Sequence, residues 1–147
     1  MKIALGCDHG GLELKNAVIA HLQGKGIETQ DFGAYSDEAS DYSDYAEAVC
    51  SAVIDKKADL GILICGTGVG MSVAANKISG IRCALLGNVF TAKATRSHND
   101  ANVMSMGARV TGVGLALEIV DAYIDTPFSN ETRHINRINK VADLEKR

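Results

Sequence analysis

A cysteine followed by alternating glycines is the feature of this sequence best suited to chemistry. Residues 62–70 read ILICGTGVG, so an apolar run ends at Cys65 and opens into a glycine-rich loop. This pattern predicts a buried strand that carries Cys65 to the carboxyl edge of a parallel sheet. The loop can then turn backbone N–H groups toward an anion at a helix N-terminus. A thiol in that environment is favoured as the reactive thiolate, although a buried core cysteine before an ordinary turn has the same pattern.

A carboxylate and an imidazole follow the first apolar run of the chain. Asp8 and His9 come directly after residues 2–7, so they emerge at the same sheet edge as Cys65. The crevice of an open parallel sheet commonly lies between strands one and three, which places the two motifs face to face. The three side chains are then suited to acid/base catalysis. The alternatives are an N-cap role for Asp8 and a hydrogen-bonded turn position for His9.

Arginines and a polar cluster lie in the second half of the chain. Arg133 and Arg137 are four residues apart on a predicted helix, so both guanidinium groups can bind one phosphate. A solvated, charged helix face is the alternative for this pair. Arg109 follows the fifth predicted strand and adds a positive charge at the edge that holds Asp8. The polar residues 96–102 end a helix, for which the default interpretation is a solvated terminus.

Composition excludes several classes of function. The 147 residues carry a net charge of -3 and are 46% hydrophobic, so no basic field is available for nucleic acid or an anionic membrane. No apolar run has the length of a membrane span, and the chain begins directly with a strand pattern. Its four cysteines are scattered without C-x-x-C spacing. This spacing predicts reduced thiols, no metal site and a cytoplasmic protein.

Strand-like and helix-like segments alternate along the chain. This order predicts one α/β domain over residues 1–147, with a five-stranded parallel sheet and helices on both of its faces. The predicted strands are residues 2–7, 27–32, 60–65, 82–86 and 102–106. The predicted helices are residues 12–23, 44–56, 70–78, 89–97, 113–125 and 130–147.

The last predicted helix differs from the others because it is polar over most of its length. Such a helix packs poorly on its own sheet and usually lies against a second subunit. The sequence therefore predicts a homodimer in which this helix reaches the partner, and it is compatible with a tetramer made of two dimers. A solvated, fraying tail is the alternative.

Four motifs in order identify the family that this sequence resembles. They are GCDHGG at 6–11, ICGTGVG at 64–70, AANK at 74–77 with GIR at 80–82, and SHND at 97–100, followed by Arg133, His134 and Arg137. Over essentially the full chain they resemble the type B ribose-5-phosphate isomerases. This sugar-phosphate isomerase family also contains the galactose-6-phosphate isomerase subunits. The resemblance implies a Rossmann-like three-layer sandwich with sheet order 2-1-3-5-4, without cofactor or metal.

The resemblance also implies a reaction in the pentose phosphate pathway, the interconversion of ribose 5-phosphate and ribulose 5-phosphate through an enediolate. Cys65 matches the base that moves a proton between C1 and C2. His98 matches the residue that helps to open the furanose ring, and Asp8 matches its assistant. The hydroxyl of Thr67 and the amides of the glycine loop match the groups that stabilise the enediolate oxygens.

The positions that match substrate contacts fall into three groups, each named by what it binds. The loop contacts are Gly66, Thr67, Gly68, Val69 and Gly70. The sugar contacts are Asp8, Tyr42, Asn99 and Arg109. The phosphate contacts are His9, Arg133 and Arg137.

Two positions bear on which member of the family the chain resembles. Some members carry serine in place of Cys65 and use a glutamate where this chain has Met71, so the chain matches the cysteine-base type. The galactose-6-phosphate isomerase subunits tend to lose the histidine found here as His98, which favours the pentose enzyme. A hexose 6-phosphate such as that of allose or galactose remains the alternative substrate, because the loop at 33–43 sets the pocket depth.

A nucleotide-binding or sensing module is an alternative of a different class. Asp31 follows the first glycine turn by about 20 residues, where dinucleotide folds place their ribose-binding acid. However, the first turn lacks G-x-G-x-x-G, Asp8 would repel a pyrophosphate, and no P-loop motif occurs.

The position of His98 predicts an active site shared between two chains. His98 ends the helix that follows the fourth strand, and about ten helical residues cover about 15 Å, the depth of a sheet. His98 should therefore lie at the edge opposite Cys65 of its own chain. It can serve a cysteine only when a two-fold axis brings it over the partner's crevice.

Overall fold

Five parallel strands form the centre of the molecule, in a computed structural model that describes residues 1–147. Every neighbouring pair is parallel, and the order is β2-β1-β3-β5-β4. The strands are β1 (Lys2–Cys7), β2 (Glu28–Asp31), β3 (Leu60–Cys65), β4 (Cys83–Leu85) and β5 (Val103–Gly107). The expected order 2-1-3-5-4 is confirmed, and β1 and β3 are neighbours.

Of the six α-helices, the first five cover the two faces of this sheet. The six are α1 (Leu12–Gly24), α2 (Tyr42–Ile54), α3 (Val69–Ala75), α4 (Val89–Asn99), α5 (Val113–Asp125) and α6 (Thr132–Asp143). Buried residues of α1, α4 and α5 form one core layer with the sheet, and those of α2 and α3 form the other. The result is the expected three-layer α/β sandwich. None of these helices is long and apolar enough to cross a membrane.

Alternation along the central strand decides which layer each side chain joins. Ile62 and Ile64 pack into the layer of α1, α4 and α5, whereas Leu63 and Cys65 pack into the layer of α2 and α3. All six residues of β3 are buried, as expected for a central strand covered on both faces. The thiol of Cys65 therefore ends β3 on the side of the sheet where α3 begins.

Several element boundaries differ from the sequence-based expectation, for local reasons. Helix α2 begins at Tyr42 because Asp41 is its extended N-cap residue. Helix α3 ends at Ala75, just before Asn76. The side-chain amide of Asn76 donates to Ser72 O and Cys83 O and accepts Cys83 N, which connects the end of α3 to the start of β4. Helix α4 continues to Asn99, one residue before a left-handed C-cap.

The C-terminal segment is two elements rather than one helix over residues 130–147. Helix α6 ends at Asp143, and a 3-10 turn follows at Leu144–Lys146. The carboxylate of Glu145 accepts hydrogen bonds from Ser79 Oγ at 2.7 Å and from Gly80 N at 3.0 Å. These bonds tie the end of the chain to the turn that precedes β4.

Candidate active site

The glycine loop after β3 has a backbone conformation that only glycine adopts readily. Gly68 has a φ of 80°, in the left-handed region. A Cβ on Gly68 would lie 2.6 Å from Leu85 Cδ1 and 2.7 Å from the carbonyl carbon of Met106, which leaves no space for a side chain. This turn directs Gly68 N toward Cys65 Sγ at 3.1 Å. Cys65 therefore has a backbone donor that can stabilise its thiolate.

The other three thiols of the chain lack such a donor. Burial raises the pKa of Cys7 to about 11 and the pKa values of Cys50 and Cys83 to about 12. These thiols remain protonated at neutral pH and serve as small core side chains. Cys65 is itself buried, with 5% of its surface exposed, but it stands where the sheet ends and the loop begins.

The turn after β1 packs directly on the glycine loop. Asp8 is 7% exposed and caps the 3-10 turn His9–Gly11, accepting Gly10 N at 2.8 Å on its Oδ1 atom. A Cβ on Gly10 would lie 3.2 Å from Gly66 N, so the backbones of the two turns are in contact. Asp8 therefore caps the 3-10 turn and also lies next to the glycine loop that follows Cys65.

His9 is exposed and faces the loop that connects β2 to α2. Its Nδ1 atom accepts a hydrogen bond from Ser40 N at 3.2 Å. The neutral ring consequently carries its proton on Nε2, which is available to a ligand. His9 is therefore a hydrogen-bonded turn histidine that keeps one polar atom free.

Two further side chains lie over the glycine loop. Arg109 N donates to Gly66 O at 2.9 Å, and a Cβ on Gly66 would lie 3.3 Å from Arg109 Nε. The ring of Tyr42 lies against Gly70, where a Cβ would be 3.0 Å from its carbon atoms. The side chains at this edge, together with the glycine loop, form what we call the carboxyl-edge cluster. Its members are Asp8, His9, Tyr42, Cys65, Gly66, Thr67, Gly68, Val69, Gly70 and Arg109.

The remaining candidate residues lie at the opposite edge of the sheet. His98 and Asn99 end α4, and Asn99 O accepts Arg82 Nε at 3.0 Å just before β4 begins. We call His98, Asn99, Arg133 and Arg137 the amino-edge cluster. Strand β3 has six residues, and at about 3.3 Å per residue it separates the two edges by about 17 Å. No single chain therefore brings the two clusters together.

Helix α6 supplies the basic side chains of the amino-edge cluster. Arg133 is exposed and pairs with Glu131 through Nε at 2.7 Å. Arg137 and Asn99 line a cavity of about 670 Å³ between α6, α4 and the connection from α3 to β4. This cavity is at the amino edge and does not include Cys65.

Sequence reasoning missed a buried lysine beneath the carboxyl-edge cluster. Lys15 Nζ is fully buried and contacts Asp31 Oδ1 at 2.7 Å and Ala34 O at 2.6 Å, with the ring of Tyr35 5.0 Å away. The position of Lys15 on the apolar face of α1, four residues before Ile19, was the available signal.

This lysine also bears on the nucleotide-binding alternative. Asp31 bonds to Lys15 and accepts Gly33 N at 2.9 Å, so its carboxylate is occupied by the protein itself. It anchors the root of the loop at 33–41 rather than offering a free acid to a ribose. No group of three or more His, Cys, Asp or Glu side chains is arranged to hold a metal ion.

Comparisons with known proteins agree on one family. The model of the Ribose/Galactose Isomerase family matches residues 3–141. Ribose-5-phosphate isomerase B of Escherichia coli is 46% identical over 99% of this chain and 97% of its own. A putative sugar phosphate isomerase of Bacillus subtilis, YwlF, is 47% identical over 100% and 99%.

Solved structures give the same result. Ribose-5-phosphate isomerase B of Clostridium thermocellum has a TM-score of 0.97 at 45% identity, covering 99% of this chain and 98% of that one. The Mycoplasma genitalium enzyme with bound ribulose-5-phosphate has a TM-score of 0.92 at 39% identity, covering 99% and 96%. The chain belongs to the Ribose/Galactose Isomerase family.

Proposed function

We propose that this chain interconverts ribose 5-phosphate and ribulose 5-phosphate as an aldose–ketose isomerase. The observation that carries the proposal is the contact between Gly68 N and Cys65 Sγ at the end of β3, with Asp8 in the adjoining turn. Family membership and the 46% identical Escherichia coli ribose-5-phosphate isomerase B support the choice of substrate. In this proposal residues 1–147 act as one domain in the cytoplasm, which agrees with four free cysteines.

The chemistry needs one base that reaches two neighbouring carbons. The Cys65 thiolate takes the proton from C2 of the open-chain aldose, and the electron pair of that bond forms the enediolate as the C1 carbonyl becomes an oxyanion. A second proton passes from the C2 hydroxyl to the C1 oxyanion through the hydroxyl of Thr67, the thiol returns the first proton to C1, and the carbonyl forms at C2. A positioned base of this kind contributes about 10²–10⁴-fold in rate.

The glycine loop is suited to hold the oxyanion. Gly68 N contacts the thiol at 3.1 Å, and Thr67 Oγ1 accepts Val69 N at 3.3 Å. We assign the amide groups of the loop from Gly66 to Gly70 and the hydroxyl of Thr67 to the oxyanion. Because these donors are fixed before substrate binds, each can contribute about 3–4 kcal/mol to the transition state. Asp8, Tyr42 and Arg109 surround the same position and are proposed as sugar contacts.

Ring opening and phosphate binding require the second cluster. His98 is proposed to help open the furanose, Asn99 to bind the sugar, and Arg133 and Arg137 to bind the phosphate. Because these residues lie about 17 Å from Cys65 of the same chain, the complete site needs a second copy. We therefore propose a homodimer with shared sites, in which α6 extends over the partner and His9 meets the phosphate from the other side.

An isomerase assay on three sugar phosphates tests the proposed substrate preference. Ribose 5-phosphate, allose 6-phosphate and galactose 6-phosphate are compared in matched coupled assays on the wild-type enzyme. We expect the highest kcat/KM for ribose 5-phosphate. A higher kcat/KM for either hexose phosphate would identify the enzyme as a hexose 6-phosphate isomerase. Activity on none of the three substrates would refute the proposed function.

A further inference from the structure

One histidine of α6 differs from its neighbours because it is buried. His134 has 4% of its surface exposed, whereas Arg133 and Arg137 on the same helix are exposed. Its ring centroid lies 4.5 Å from that of His98, with 36° between the ring planes. The exposed imidazole of His98 thus packs against the buried imidazole of His134, which we call the platform of His98.

The platform is itself fixed by hydrogen bonds. His134 Nδ1 lies 2.7 Å from Ser129 Oγ, and the same oxygen accepts Glu131 N at 3.3 Å. This oxygen has one proton to donate and two lone pairs that accept, so it can bond to Nδ1 and to Glu131 N at the same time. Ser129 N in turn donates to Ser97 O at 3.1 Å, which joins the platform to the end of α4.

The charges around His134 favour its neutral form. Burial lowers the pKa of His134, the charges of His98, Arg133 and Arg137 lower it further, and Glu131 opposes them. These are the titratable groups that face the ring from α4, α6 and the segment between α5 and α6. A neutral ring can pack against His98 in either protonation state of His98 without adding repulsion between two cations.

We propose that His134 is a positioning residue for ring opening, whose buried ring holds the imidazole of His98 in one orientation toward the substrate. This inference rests on the proposed function, because it assumes that His98 acts on the furanose. An exposed histidine otherwise samples several rotamers, and a displacement of about 1 Å at a reacting group can cost about 10²-fold in rate. In this role His134 acts through its contact with His98.

The test separates ring opening from proton transfer at carbon. Ribose 5-phosphate is mainly a furanose, whereas ribulose 5-phosphate stays open because its O5 carries the phosphate. Isomerisation of ribose 5-phosphate therefore needs both steps, while deuterium exchange at C1 of ribulose 5-phosphate in D2O needs only the proton transfer. The matched variants are His134→Phe, which keeps a flat ring, and His134→Leu, which keeps the volume alone, with His98→Ala as reference.

We expect His134→Leu to lower kcat for ribose 5-phosphate about 10-fold or more and to leave C1 exchange near the wild-type rate, the same signature as His98→Ala. His134→Phe should retain most of the isomerisation. Equal losses of isomerisation and exchange in His134→Leu, or equal kcat values for His134→Phe and His134→Leu, would overturn the proposal.

A second variant covers the case in which His134→Leu does not fold. Ser129→Ala removes the partner of Nδ1 and keeps the ring, so it should lower isomerisation several-fold while exchange is unchanged. Unchanged isomerisation in Ser129→Ala, or a parallel loss of exchange, would overturn the inference. Absence of ribose 5-phosphate isomerisation in the wild type would instead refute the proposed function.

Discussion

Cys65 and His98 stand at opposite edges of one sheet, about 17 Å apart along the strand direction. Cys65 ends β3 at the carboxyl edge, and His98 reaches the amino edge because α4 runs back along the depth of the sheet. Every candidate residue belongs to one of these two edges. Because of this separation, the proposed chemistry needs residues from two chains.

The first prediction concerns the proposed base. Cys65→Ala should lower kcat by about 10²–10⁴-fold with little change in KM, because the thiolate acts in proton transfer and not in binding. Cys50→Ala is the control, since burial raises the pKa of Cys50 to about 12 and Cys50 belongs to neither cluster. Retention of more than a tenth of the wild-type kcat by Cys65→Ala would refute the mechanism.

The second prediction concerns the phosphate. Arg133→Ala and Arg137→Ala should each raise KM for the sugar phosphate about 10-fold or more, because each loses a charge-assisted contact of about 1.5–3 kcal/mol. Lys140→Ala, an exposed cation on the same helix, serves as the control and should leave KM unchanged. If both arginine variants keep the wild-type KM, Arg133 and Arg137 do not bind the phosphate and belong to a solvated helix face.

The third prediction concerns the buried Lys15 beneath the loop at 33–41. Lys15→Met should lower the free energy of unfolding by about 1–3 kcal/mol, because the Asp31 carboxylate and the Ala34 carbonyl lose their shared partner. Lys25→Met removes a half-exposed pair with Asp121 of the same 2.7 Å length and should cost about 1 kcal/mol or less. Urea denaturation of both variants checks the difference, and equal losses would contradict it.

The fourth prediction concerns the pH dependence of stability. The pKa of His134 in the folded chain lies below its ordinary value of 6.5, so between the two values the unfolded chain binds more protons. His134 therefore contributes stability above pH 6.5 that is lost as the pH falls toward its folded pKa. Thermal melts between pH 8 and pH 5 should show a smaller decline for His134→Phe than for wild type. Parallel declines would contradict the burial of a neutral ring.

Much of the fold follows from periodicity, because buried strands and glycine turns leave strong local signals. The run that ends at Cys65 and the turn at Asp8 determine which residues reach the carboxyl edge, and strand pairing places them together. The platform of His98 was not predicted, since the burial of His134 depends on the loop that returns α6 to the end of α4. Lys15 was missed for a similar reason, because its partner Asp31 lies on another element.

The most direct test of the shared site is recovery of activity in mixed dimers. Homodimers of Cys65→Ala and of His98→Ala should each be nearly inactive, because every site then lacks one of the two groups. In a mixed dimer one site combines an intact Cys65 with an intact His98 from the partner, and the other site lacks both.

The two variants are unfolded together, refolded, and examined by native mass spectrometry and by the ribose 5-phosphate assay. Random pairing makes half of the dimers mixed, each with one working site of two, so activity should rise to about a quarter of wild type. Activity that stays at the level of the parent variants, with mixed dimers confirmed by mass, would show that Cys65 and His98 do not act together across the dimer.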